Sequence, residues 1–497
     1  MDITITRVDG ALKVNPAPPY ITEYLQYSHR SFETKNYQRV NKFERILLHS
    51  VTEDGGITTL QGFFEHICRL IHKNNDRLAV IDNRTVLPEL DLEAIRNIDW
   101  AAINSTGLRD YQLDPVIEFL YKGKENSGVV NAAGGYGKTI IQAVTYAAFH
   151  KLNTILAIPV KEVVTQTHEK FCKLFPDKHI GKVGDGSRDI SGDITISTFK
   201  SLPNCAIEKC QLLLVDEIQS TTADSICDIL SGMSPIRTFG YTATDEGMFN
   251  QAEKVIKGLF GERLIHIPYR EAEEVGAVVP GLVYFVQMPE NVMVDAGTVE
   301  GKINKGIKKC EERNKLIGEI CSYIPDQWQT IVFVDHIVDH LVNVYKEMPS
   351  GTKFLHRNSN KKELGDFALS TKQQNKTIEL FKENEFQYLI ATDAFRAGVD
   401  VPNCRVVVQA AGGNSEIEIL QEALRGSRIL TERDRNRLDV GEKTHFVLID
   451  ILDTHDTVLE NMAYKRMETY RKQGWRIKIV KEPKEIDWND YQRSNLT

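Results

Sequence analysis

The sequence predicts an α/β protein in which two tandem parallel-sheet domains follow a small α+β domain. Three observations carry this expectation. Short apolar strands alternate with helical patterns from Leu108 to about Pro268, and the alternation resumes after about Leu282. Residues 1 to about 105 break the rhythm with a hairpin, one helix and one further strand. Alternating strand and helix signals imply a parallel sheet with helices on both faces. The expected limits are 1–105, 106–281 and 282–478, with a polar tail at 479–497. A chain of 497 residues is long enough for three or four such units.

The N-terminal elements are read in order. Ile3 and Ile5 alternate with Thr4 and Thr6, Asp9-Gly10 supplies a turn, and Leu12 and Val14 resume the alternation, which is a hairpin signal. Leu60, Phe63, Phe64, Ile67 and Ile71 fall on one helical face, and Leu78–Ile81 reads as a strand. Between them, residues 29–45 hold five basic side chains (Arg30, Lys35, Arg39, Lys42, Arg45) against Glu33 and Glu44, with Phe32, Tyr37 and Phe43 interleaved. Basic groups among aromatics suit a phosphate backbone and exposed bases. A solvated loop anchored by its aromatics explains the stretch equally well.

In the first α/β domain the expected strands are Val129-Val130, Thr154–Ile158, Asp193–Ile196, Leu212–Val215 and Thr238–Tyr241. In the second they are Thr330–Val334, Tyr388–Ile390, Val406–Val408 and His445–Ile449. After Val129-Val130 comes Gly134-Gly135-Tyr136-Gly137-Lys138-Thr139, and then a helical pattern. A Gly-rich turn between strand and helix aims several backbone N–H groups at one point, and the helix N-terminus adds partial positive charge. Such a loop cradles phosphates, with Lys138 on the β- and γ-phosphates and the Thr139 hydroxyl on magnesium. Ala132 stands where the consensus has its first Gly. About eighty residues on, the apolar run Leu212–Val215 delivers Asp216-Glu217, one carboxylate to hold the metal and one to polarise water.

Bulk properties restrict the remaining classes. The net charge of −8 leaves no global basic signature, so any nucleic-acid site must be a local patch. Eight cysteines without a C-x-x-C pair fit free thiols in a reducing compartment, with no disulfide partner and no zinc site. The first residues lack a signal-peptide pattern and no run approaches eighteen apolar residues. The expectation is a cytoplasmic protein without a membrane partner.

Further motifs complete an ordered set. Arg109 and Gln112 precede the first α/β domain, Pro159 and Gln166 follow its second strand, Thr198 follows the third, and Thr242-Ala243-Thr244 follows the fifth. The second domain adds Thr392-Asp393, Arg396, Gly398 and Asp400, then Gln421-Glu422-Ala423-Leu424-Arg425-Gly426-Ser427-Arg428. This set, in this order, resembles the superfamily 2 helicases over roughly Leu108 to Trp475. The stretch from Thr242 through Gly261-Glu262, Tyr269-Arg270 and Gly276–Pro280 is similar to phage UvsW-type helicases, RecG-like branch-migration enzymes and restriction-enzyme motor subunits. The resemblance implies two RecA-like domains, ATP and magnesium as cofactors, and a monomer acting on forked, branched or duplex DNA in recombination, repair or replication.

The resemblance also assigns roles by position. Arg109 and Gln112 read the adenine edge, and Gly134, Gly135, Gly137, Lys138 and Thr139 hold phosphates and metal. Asp216 and Glu217 are the metal-holding and water-activating pair. Gln219, Thr242, Thr244 and Gln421 couple hydrolysis to movement, and Arg425 and Arg428 are arginine fingers. Gly398 and Asp400 belong with the nucleotide, while Thr198 and Thr392 touch the nucleic-acid backbone. Departures from the family pattern are Gln219 in place of His, Glu422 in place of Arg, Leu424 in place of Gly, and Asp245-Glu246-Gly247 after Thr244.

Two rival readings stay open, an RNA helicase with the same motor and an ATP-switched nucleic-acid scaffold. Two other clusters invite chemistry. His336 and His340 stand at a metal-compatible i, i+4 spacing but lack a third ligand, so a polar first helical turn is expected. Asp450, Asp453, His455 and Asp456 could suggest a nuclease, and a strand end with a helix cap explains them more simply.

Overall fold

The computed structural model describes residues 1–35, 38–103, 108–222, 224–243, 252–290, 292–356, 358–392, 401–413 and 415–490, with the backbone alone at 29–35, 38–43, 222, 224, 252 and 361. They form two compact units. One comprises residues 1–133 and 137–267, and the other 268–497 with the loop residues 134–136.

The first unit opens with strands β1 (Asp2–Val8) and β2 (Ala11–Asn15), an antiparallel hairpin through Asp9-Gly10. Strands β3 (Gln26–Lys35) and β4 (Gln38–Leu47) form a separate two-stranded antiparallel ribbon. Strands β5 (His49–Val51), β6 (Ile57–Leu60) and β7 (Arg77–Asp82) complete a five-stranded sheet of order β5-β6-β2-β1-β7. Its buried face, with Ile3, Ile5, Leu12 and Val14, packs on Phe63 of the turn Gln61–Phe63 and on Ile67 and Ile71 of the helix that follows it, Phe64–Lys73. Leu60 ends β6 and does not belong to that helix; an apolar residue at the right spacing fits either neighbour. Residues 29–35 and 38–45 of the basic stretch are strand and not solvated loop, because their backbone pairs in the β3–β4 ribbon.

Eight strands build the first large sheet: β8 (Gly128–Ala132), β9 (Thr154–Ile158), β10 (Ile180–Gly184), β11 (Ser187–Arg188), β12 (Ile194–Thr198), β13 (Leu212–Asp216), β14 (Arg237–Thr242) and β15 (Arg263–Ile267). Their order is β11-β10-β12-β9-β13-β14-β8-β15, parallel except for the β10–β11 pair. β8 and β9 are buried throughout, as strands covered on both faces must be.

The second large sheet contains β16 (Gly281–Gln287), β17 (Gln329–Phe333), β18 (Lys353–Leu355), β19 (Tyr388–Ala391), β20 (Cys404–Gln409), β21 (Phe446–Leu452) and β22 (Arg476–Val480), in the order β18-β19-β17-β20-β21-β16-β22. Every pairing is parallel. The expected polar tail is corrected in part. Val480 ends a strand, Ile486 is buried, and Trp488 packs edge-on against Trp328. Few apolar residues among many charges hid this segment, yet Ile486 and Trp488 are enough to seat it.

Candidate nucleotide site

Strand order assembles the site. β13, β14 and β8 are neighbours, with Asp216 level with Tyr241 and Thr242 level with Asn131. Their carboxyl ends therefore bring Asp216, Thr242 and the phosphate loop to one sheet edge. Crevices beyond the carboxyl ends of parallel strands are where such sheets take ligands.

The loop turns through two left-handed glycines, Gly135 at φ 98° and Gly137 at φ 106°. Only glycine takes these angles without strain. Gly137 also leads directly into the helix Lys138–Ala148, so Lys138 and Thr139 occupy its first turn. A Cβ on Gly137 would lie 2.6 Å from Nε2 of Gln112, which is buried and lies beside the loop. Gln112 Oε1 accepts from the Arg109 backbone N–H at 3.1 Å, whereas the exposed Arg109 guanidinium lies over the Tyr111 ring, 5.7 Å from its centroid.

The two carboxylates have different surroundings. Asp216 Oδ1 is buried and accepts no hydrogen bond. Burial, together with the charge of Glu217, pushes the Asp216 carboxyl up to about 7 against the opposing pull of Lys138. A buried carboxylate oxygen short of donors suits a hard cation, so Asp216 with the Thr139 hydroxyl fits magnesium by donor chemistry. Glu217 has a left-handed φ of 49°, a conformation that side chains other than glycine rarely adopt and that clusters at functional sites. Its Oε1 is 4.0 Å from Lys138 Nζ. Its Oε2 accepts from Gln219 Nε2 at 2.6 Å, and Gln219 Oε1 accepts from Thr242 Oγ1 at 2.9 Å. A continuous polar chain thus runs from the second carboxylate to the end of β14.

Farther along the same edge, Thr198 ends β12, where its Oγ1 caps the next turn by accepting from the Ser201 N–H at 3.2 Å. In the second unit Thr392 is buried after β19, donating its N–H to the Leu355 carbonyl at 3.2 Å. The helix Glu416–Ala423 carries Gln421, and the turn after it carries Arg425 and then Arg428, both half-buried. That turn is firmly held: Val279 N–H donates to the Ser427 carbonyl at 2.9 Å, and a Cβ on Gly426 would lie 2.4 Å from the Phe446 ring. Thr244, Gly398 and Asp400 lie outside the described residues, as do the side chains of Arg30, Lys35, Arg39 and Lys42.

The second unit also explains one departure from the family pattern. Glu422 is buried and accepts from Gln409 Nε2 at 2.6 Å, bracing its helix against the end of β20. A second buried network surrounds Asp450 and Asp453. Arg466 donates to both Asp450 oxygens at 2.8–3.1 Å, the Tyr470 hydroxyl donates to Asp450 Oδ2 at 2.9 Å, and Arg313 Nε donates to Asp453 Oδ1 at 2.8 Å. All five side chains are fully buried. The guanidinium groups also bind the carbonyls of Ala410, Gly412 and Gly413, the segment leading to the helix with Gln421. Asp456 caps the helix Thr457–Lys472, accepting from Val458 N–H at 2.8 Å, so this cluster is a braced strand end and a cap. His336 caps a helical turn and His340 is wholly buried beyond it. No sequence signal distinguishes Arg313 and Arg466 from surface arginines, since each sits in an ordinary charged helical pattern.

Residues 105–247 match the family model for the res subunit of type III restriction enzymes, and residues 312–429 match the model for the helicase conserved C-terminal domain. The chain carries both motor domains of a superfamily 2 helicase. Over 369 residues it is 22% identical to the DNA 3'-5' translocase XPB2 of Sulfurisphaera tokodaii, covering 67% of this chain and 80% of that protein. It is 22% identical over 316 residues to the ATP-dependent RNA helicase DBP3 of Yarrowia lipolytica, covering 58% and 54% of the two chains. Among solved structures it is similar in fold to S. cerevisiae Dbp5 bound to RNA and ADP BeF3, with a TM-score of 0.52, 15% identity, and 82% and 96% of the chains covered. Among the described residues no helix is long and apolar enough to cross a membrane.

Proposed function

We propose that the protein is an ATP- and magnesium-dependent DNA helicase or translocase that remodels forked and branched DNA by branch migration, in recombination, repair or replication. The supporting observation is the assembly of cradle, carboxylates and polar relay on three adjacent strand ends. In this reading Lys138 and the loop N–H groups take the phosphates, and Gln112 with Arg109 takes the adenine edge. Glu217 draws a proton from the attacking water, and its hydrogen bond to Gln219 passes a change at Glu217 to Thr242. Magnesium held by Asp216 and Thr139 would supply charge neutralisation at the phosphates. Arg425 and Arg428 act as arginine fingers on charge developing at the γ-phosphate, an effect worth roughly 10³–10⁵ in rate. Gly398 and Asp400 serve the nucleotide, Thr244 and Gln421 serve coupling, and Thr198 and Thr392 meet the nucleic-acid backbone. The β3–β4 ribbon, with Arg30, Lys35, Arg39 and Lys42, contributes phosphate contacts.

DNA as the track rests on the longer match, to a DNA translocase. The match to DBP3 favours RNA as the second reading. ATPase stimulation by forked DNA, Holliday junctions, linear duplex and RNA, measured side by side, separates the two. Strongest stimulation by branched DNA is expected; strongest stimulation by RNA overturns the DNA reading. Charge reversal at Arg39 and Lys42 should weaken DNA binding alike for all sequences and flatten its salt dependence by roughly one unit of slope per lost phosphate contact.

A further inference from the structure

The helix Ala252–Phe260 has the nucleotide segment on one side and the N-terminal domain on the other. On the inner side, Phe260 is fully buried against β14. A Cβ on Gly240 would lie 3.0 Å from the Phe260 ring and 2.7 Å from Ile218. Ile218 stands between Glu217 and Gln219, and Gly240 stands two residues before Thr242, so Phe260 rests on the backbone that carries the polar relay.

On the outer side the approach is equally close. A Cβ on Gly62 would lie 2.1 Å from the Lys257 carbonyl and 2.6 Å from Gly261 N, so only glycine lets the N-terminal domain press onto the helix backbone. A Cβ on Gly258 would in turn meet the Phe63 ring at 2.6 Å. Arg69 and Lys257 both pair with Glu262.

Lys254 crosses this junction. Its Nζ donates to the backbone carbonyls of Tyr24 and Gln26, each at 3.1 Å, and lies 4.9 Å from the Tyr24 ring centroid. The other face of the junction is stiff, because Tyr24 stacks on His66 at 3.9 Å. Gln26 is the first residue of β3, and Leu48, just past β4, donates its N–H to the Leu25 carbonyl at 2.9 Å. Lys254 thus grips the root of the ribbon. Two carbonyl dipoles and a ring face meet its charge, and burial lowers its pKa. The cation has a fixed place and direction that a merely apolar contact would not impose.

We propose that Lys254 is a positioning residue that links the nucleotide segment to the β3–β4 ribbon, so that the ribbon responds to nucleotide through the helix Ala252–Phe260. The inference rests on the reading that the first motor domain binds ATP. Packed contacts alone do not establish coupling, which requires that a change at one site alter the other.

The test is hydrogen–deuterium exchange on the full chain, as wild type, Lys254→Met and Lys254→Arg, with and without Mg–ADP–beryllium fluoride. In wild type, amides at 24–28 and 44–48 should change exchange rate by about fivefold or more on nucleotide addition, the low end of ordinary inter-site coupling. Lys254→Met should lose most of that change, and Lys254→Arg should keep it. Protection of residues 133–140 should be the same in all three, which also reports that each variant is folded. If wild-type ribbon amides ignore nucleotide while the loop is protected, the inference is wrong and the ATP reading stands. An unchanged ribbon response in Lys254→Met, or its loss in Lys254→Arg, equally overturns the role of Lys254. If the wild-type loop itself gains no protection, the ATP reading fails and this inference falls with it.

Discussion

Each motor domain sets an aspartate near the carboxyl end of a central strand, Asp450 fully buried and Asp216 half-buried with one oxygen shielded, and the two are treated in opposite ways. Asp450 in β21 accepts from Arg466 and Tyr470, so its own charge is matched within the fold. Burial works against the Arg466 cation, but the Asp450 charge and hydrogen bonds outweigh it and its pKa is raised. Asp216 in β13 has one buried oxygen without a donor, a neighbouring carboxylate, and a carboxyl held near 7. The matched aspartate organises its own domain. The unmatched one carries an electrostatic cost in the fold that Lys138 offsets only in part. Buried charge by itself marks neither role; the completeness of its partners does.

Substitutions at five positions test this contrast, from the largest expected effect downward. Glu217→Gln or Lys138→Ala should abolish ATP turnover, a loss of 10³-fold or more on the scale of oxyanion and finger contacts. Glu217→Gln should still bind ATP, and near-normal turnover in either variant would remove the site from this edge. Arg466→Met, on the matched side, should destabilise the protein by about 3–5 kcal/mol, because it leaves buried Asp450 without its cation. Urea unfolding would read this, and a loss near zero would show the network to be ornamental.

Asp216→Asn should do the reverse. The folded pKa of about 7 lies above the ordinary 3.8, so ionisation costs stability progressively as pH rises from about 4 to 7, and fully above that. Removing the charge should therefore raise the melting temperature at pH 8 in metal-free buffer, by about 2–4 °C per kcal/mol relieved, with no gain at pH 4. Turnover should be lost all the same. A lower melting temperature at pH 8 would mean that Asp216 is already compensated within the chain. The mildest change is Glu422→Gln, which keeps a partner for Gln409 and should alter turnover less than Glu422→Ala. Equal loss in both would assign Glu422 to charge and not to bracing.

Much of this was legible in the sequence. The phosphate loop, the Asp216-Glu217 strand and the strand rhythm are local patterns, and local patterns survive folding. Arg466 and Arg313 were not legible, since burial of an arginine depends on what the rest of the sheet brings to it. The basic stretch stands out in the sequence by its charges and aromatics, but its strands β3 and β4 do not, because no apolar stripe marks them. Glu217's left-handed turn has no signature, because glutamate rarely adopts it. Lys254 has no sequence signature, because its partners are backbone carbonyls of Tyr24 and Gln26 more than two hundred residues away.

The place of β8 has a consequence for how the protein is made. β8 is the earliest strand of its sheet in the chain, yet it lies between the two latest, β14 and β15. A ribosome releases residues 128–132 long before residues 237–267, and pairings so far apart in sequence form slowly. The phosphate loop thus hangs from a strand without permanent neighbours until more than a hundred further residues have been synthesised. Tight nucleotide capture should accordingly be absent from nascent chains that stop short of Ile267 and should arise only once β14 and β15 have closed around β8.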